Sequence, residues 1–125
     1  MTKLQNLIKD LTNASERLRE AARLKFTPIN RDAVIQRFEF CFELSWKVLQ
    51  EYIKDQGLDC KSPRNCLRIA AELNLITNLK NWFDYLEARN LIAHTYNESL
   101  SNRIYKKAVD FSIDVKELLT NIEGS

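Results

Sequence analysis

The sequence predicts an all-α chain: an up-and-down four-helix bundle with one additional short helix. Three observations carry that expectation. Gly and Pro occur only twice each in 125 residues, so the chain has few places to turn. Apolar residues recur three and four apart over long stretches instead of alternating. Capping residues stand at the edges of those stretches. No internal repeat, low-complexity tract or linker interrupts the pattern, so residues 1–125 read as one helical domain, long enough to bury a core without staples.

The first helix follows from apolar positions 4, 7, 8, 11, 14 and 18, one buried stripe that ends near Leu24. Asn30 is expected to cap the second helix, which runs to Gly57 as its C′ residue. One row on it is Val34, Phe38, Cys41, Phe42, Ser45, Leu49 and Tyr52; Phe40, Leu44 and Val48 lie roughly opposite. Glu39, Glu43 and Lys47 complete the surface, with Glu43 and Lys47 at i,i+4 pairing distance. A helix apolar on two sides implies core contact on one and a subunit or partner on the other.

After the loop "GLDCKSP", Ser62 reads as N-cap and Pro63 as the first residue of a short third helix, "PRNCLRIAAELNL". A fourth helix runs from about Asn78 towards Ala93, and a fifth begins near Asn97 or Ser99. The fifth carries a regular seam at 104, 108, 111, 115, 118 and 122.

Composition narrows the function classes. A hydrophobic share of 45%, a charged share of 29% and a net charge of +2 describe an ordinary globular chain. Electrostatics alone announces no nucleic-acid binder, although a local basic patch remains compatible with it. Cys41, Cys60 and Cys66 are an odd count without CxxC spacing, which reads as reduced thiols of a cytosolic protein. A single histidine disfavours a Cys/His zinc site, so neither metal nor cofactor is expected. No stretch approaches the roughly 20 apolar residues of a membrane span. The amphipathic, acid-containing N-terminus differs from a signal peptide, which points to the cytoplasm.

The chemistry concentrates in "EARNLIAHTYNE", which holds His94, the one histidine. Residues five apart on a straight helix sit about 140° from each other, so Arg89 and His94 do not share a face, whereas Asn90 and His94 do. Arg89 either reaches around the helix, meets the histidine of a second subunit across a two-fold axis, or simply pairs with Glu87 or Asp84. One Arg, one His and an amide suit RNA phosphodiester cleavage. The ribose 2′-OH is then an internal nucleophile, histidine moves the proton, and arginine steadies the phosphorane charge. The bland alternative is a capping or packing histidine. Lys61, Arg64 and Arg68 cluster at the start of the third helix; they are either a solvated basic face or an anion site.

The segments "RDAVIQRFEFCFELSWKVLQEY", "SPRNCLRIA" and "W…EARNLIAHTYNE" together resemble the nucleotidyltransferase substrate-binding proteins of the HEPN superfamily. The resemblance covers roughly residues 30 to 105 and places the Arg-x4-His-x-Tyr motif on Arg89, His94 and Tyr96, with Asn90 after the arginine. It implies a dimerising helical bundle that associates with a minimal nucleotidyltransferase encoded by a neighbouring gene. It further implies a toxin-like role with metal-independent RNase activity at Arg89, Asn90 and His94. In some such systems the transferase restrains the toxin by placing AMP on the motif tyrosine, here Tyr96. The alternative is a non-catalytic subunit that presents nucleotide or acceptor to the transferase through Lys61, Arg64, Arg68 and the 89–96 turn. A ligand-free helical adaptor is the third reading.

Overall fold

Thr2 opens the first helix with a reciprocal cap. Its hydroxyl accepts from the Gln5 amide, and the Gln5 side chain accepts from the Thr2 amide. In the computed structural model, which describes residues 1–124, this helix, α1, spans Lys3–Ala22. It is followed by α2 (Pro28–Asp55), α3 (Pro63–Glu72), α4 (Leu79–Asn90), a 3-10 turn (Ile92–His94) and α5 (Glu98–Glu123). The four long helices pack as a bundle, and α3 lies against α2 and α4.

The start of α2 and the end of α3 differ from the sequence expectation, as does the end of α4 described below. Thr27, not Asn30, caps α2: its hydroxyl accepts from the Asn30 amide, and Pro28 occupies the first turn, where its missing N–H costs nothing. Asn30 instead donates its side-chain amide to the Lys25 carbonyl. The second difference is α3, which stops at Glu72 and not at Leu75 because Asn74 takes a left-handed conformation, φ 62°. Its amide and that of Leu75 return to Ala71 and Ala70, closing the helix end. Gly57 closes α2 in the same manner, at φ 82°.

The core draws on every helix: Leu11 and Leu18 from α1, Phe38, Phe42 and Leu49 from α2, Leu67 from α3, Trp82 and Tyr85 from α4, and Phe111, Val115 and Leu118 from α5. Phe111 is its hub, edge-on to Phe38, Trp82 and Tyr85 at 5.2, 5.4 and 5.3 Å between centroids. The expected seam of α5 is buried at all six positions. The second apolar row of α2 is not a continuous face: Val48 is in the core, Leu44 is half-buried, and only Phe40 stands out, 57% exposed. α1, α3, α4 and α5 all pack on α2, and Gln36, Phe40, Lys47 and Gln50 lie exposed along it.

The cysteines also depart from expectation. Cys60 and Cys66 form a disulfide that ties the loop before α3 to its first turn, leaving Cys41 as a buried thiol. The absence of CxxC spacing concealed a pair brought together by the loop's reversal. Burial pushes the Cys41 thiol up to about 12, with the Arg19 guanidinium opposing weakly. Among the described residues, no helix is long and apolar enough to cross a membrane.

Candidate functional site

Helix α4 ends where its side chains begin to carry chemistry. The Leu91 amide closes the helix on Glu87 and Ala88, and the chain tightens into the 3-10 turn. Helix α4 was expected to continue towards Ala93; the tighter turn changes the angular relation of Arg89 to His94 from that of a straight helix. His94 emerges exposed at the end of this turn, and Asn97 then caps α5 by accepting from the Leu100 amide.

Two buried anchors hold the turn. Ser101, fully buried, donates its hydroxyl to the Thr95 carbonyl at 2.8 Å. Arg31, only 8% exposed, reaches from α2 to the start of α5. It donates to Asn102 at 3.1 Å and pairs with Asp32 and Glu98 at 3.0 and 3.6 Å. Neither residue was singled out from the sequence. A cation at the opening of α2, preceded by a helix cap, was the available signal for Arg31.

Arg89 lies half-buried in the last turn of α4. Its guanidinium pairs with Glu43 of α2 and donates to the Asn90 side chain at 3.0 Å. Glu43 therefore does not pair with Lys47, and Arg89 does not pair with Glu87 or Asp84. The other Glu43 oxygen accepts from the Trp46 indole at 3.2 Å. Arg89 is thus oriented from two sides with part of its surface open to solvent. No hydrogen bond joins Arg89 to His94. His94 instead meets Tyr96 edge-on, ring centroids 6.2 Å apart. Tyr96 is 87% exposed.

Arg64 and Arg68 lie on α3, and Lys61 in the loop just before it, apart from the 89–96 segment. Arg64 and Arg68 both lie over the Phe83 ring, 4.3 and 5.6 Å from its centre, which orders two guanidinium groups that would otherwise wander. The Lys61 amide donates to the Asn65 side chain, and Ser62 caps α3 as the sequence predicts. Among the described residues, no three His, Cys, Asp or Glu side chains are grouped to hold a metal.

An oriented guanidinium in the last turn of α4 is thus followed along the chain by an exposed imidazole and an exposed phenol that contact each other. A family model described as nucleotidyltransferase substrate binding protein like matches residues 2–124. The chain belongs to that family. This member of the nucleotidyltransferase substrate-binding family is 31% identical over 93 residues to a Haemophilus influenzae protein named probable ribonuclease HepT. That match spans 70% of this chain and 64% of the relative, less than two thirds of its length. A solved structure from Thermus thermophilus superposes with a TM-score of 0.83 at 35% identity, covering 88% of this chain and 96% of that one. A tri-AMPylated Shewanella oneidensis HEPN toxin, solved with its MNT antitoxin, superposes over the whole of both chains with a TM-score of 0.73. At 19% identity, that likeness is one of fold.

Proposed function

We propose that this chain is the toxin-like partner of a minimal nucleotidyltransferase and cleaves RNA at the α4 terminus. The observation that carries the reading is Arg89 held by Glu43 and Asn90, one turn before an exposed His94. RNA supplies its own nucleophile. His94 takes the proton from the ribose 2′-OH as that oxygen bonds to phosphorus, and the leaving 5′-oxygen is protonated as its bond breaks. Arg89 neutralises the charge growing on the phosphorane oxygens, with Asn90 fixing its fork. A cytoplasmic homodimer places two copies of the motif about an axis, so that one histidine acts as base and the other as acid. Lys61, Arg64 and Arg68 contact flanking phosphates.

Tyr96 is the control point. Its exposed hydroxyl bonds to the α-phosphorus of ATP in the partner transferase, the phenolic proton leaves, and pyrophosphate departs. The resulting phosphodiester puts negative charge beside His94, where an RNA phosphate must approach. The name of the Haemophilus relative and the AMPylation of the Shewanella toxin support this reading.

Purified His94→Ala and Arg89→Ala proteins are each expected to lose RNA cleavage with an unchanged helical spectrum. Cleavage persisting in His94→Ala would overturn the assignment. A second reading, a non-catalytic substrate-binding subunit, is favoured by the ordered Arg64–Arg68–Phe83 stack. It predicts no cleavage by the wild type, together with a transferase that loses activity when this chain is omitted.

A further inference from the structure

We infer that the groove between α4 and α5 is a nucleoside-monophosphate site, and that it receives the nucleotide carried on Tyr96. This rests on the reading of Tyr96 as acceptor. The groove is open to solvent and holds about 480 Å³, within the range of roughly 300–1,000 Å³ typical of small-ligand sites, and none of the motif residues lines it.

Its lining is divided by chemistry. Near the motif, Ala88 and Leu91 of the α4 end face Leu100 and Ile104 of α5, giving an apolar floor. Ala88 and Ile104 are buried, while Leu91 and Leu100 are only half-covered. Above this floor stand Arg103 and Lys106, both exposed, and neither enters an ion pair among the described residues. Lys107, by contrast, is committed to Asp84 at 3.6 Å and marks the far end. Glu87 and Asp110 complete the walls as exposed carboxylates without ion-pair partners.

A nucleoside monophosphate presents the matching set. Its phosphate suits the two uncommitted cations, its base suits an apolar floor, and its ribose hydroxyls can donate to a carboxylate, as in dinucleotide sites. A plain solvated helix face does not require half-covered leucines beneath uncommitted cations.

Reach is consistent with delivery from the tyrosine. Tyr96 directly precedes the Asn97 cap, and Arg103 lies six residues beyond that cap, about 9 Å along the helix axis. Tethering raises the local nucleotide concentration to the millimolar range, so weak intrinsic affinity is enough to hold the adduct in the groove. The modified tyrosine then has a defined resting place beside the Arg89–His94 end.

The test uses methyl NMR on the full, unmodified chain titrated with AMP. Saturable shifts are expected at Ala88, Leu91, Leu100 and Ile104, with binding weakened about fivefold or more in Arg103→Glu. No saturable shift at these methyls up to about 10 mM AMP would overturn the site, as would an unchanged affinity in Arg103→Glu. A second arm uses chain bearing AMP on Tyr96 after co-expression with the transferase. Its groove methyls should already be displaced and unresponsive to added AMP; if free AMP still titrates them, the adduct lies elsewhere and the inference fails. Failure of the acceptor reading is separately visible, as absence of the AMP mass on Tyr96, while the titration of unmodified chain still decides the groove.

Discussion

Glu43 determines which way Arg89 points. Its two oxygens are divided between that guanidinium and the Trp46 indole, so removing its charge releases the arginine without disturbing the core. Glu43→Gln is expected to lower RNA cleavage by up to about a hundredfold, mainly in kcat, with little change in Tm. The motif was marked in the sequence by the family resemblance, since Arg and His five apart fit a capping or packing histidine as well. The partner of Arg89 was not, because the sequence offers Glu87 and Asp84 on the same helix, whereas the ion pair formed across helices with Glu43. Cys41 allows a pH test. Its folded pKa is raised from 9.0 to about 12, so the unfolded chain loses that proton first and stability falls as pH rises from about 9 to 12. Each such proton steepens the fall by about 1.4 kcal/mol per pH unit. Denaturation of Cys41→Ala across that window should show a shallower slope. Burial and the Asp114 contact also push the Tyr85 hydroxyl upward, adding to the alkaline loss above pH 10.

Among the elements, helix interiors were easier to read than helix ends. The seam of α5 was complete in the sequence, because periodicity over 26 residues averages out local exceptions. Ends depend on single residues, and the Thr27-Pro28 start lost out to Asn30 because both are acceptable caps. Gly57 was read correctly, and its left-handed conformation has a measurable consequence. A methyl group there meets nothing within 4 Å, so Gly57→Ala carries only the backbone penalty. Thermal or urea denaturation should show a loss of about 1–2 kcal/mol. The disulfide between Cys60 and Cys66 closes a short loop, with a sequence separation of 6. Reduction should therefore cost about 2 kcal/mol in a melt with and without reductant. A Cys60→Ser/Cys66→Ser protein should then be insensitive to reductant.

At the scale of the whole molecule, two ties across helices flank the 3-10 turn. Arg89 joins the end of α4 to Glu43 in the middle of α2, and Arg31 joins the start of α2 to the start of α5. Arg31→Ala is expected to lower stability by about 1–3 kcal/mol and to loosen the turn bearing His94, measurable as faster amide exchange at Thr95 to Asn97. Fold class followed from pattern alone, because helical periodicity and scarce turn residues leave few alternatives. The cross-helix contacts that shape the site did not, since they depend on how helices rotate against each other. Cleavage by Arg89 and His94 through the RNA 2′-OH would leave characteristic ends. The most direct measurement is the end chemistry of RNA treated with the purified wild-type chain in EDTA, beside His94→Ala. The wild type is expected to leave 2′,3′-cyclic phosphate and 5′-hydroxyl ends, and the variant to leave the RNA intact. Intact RNA in both samples, or the same ends from both, would contradict the assignment.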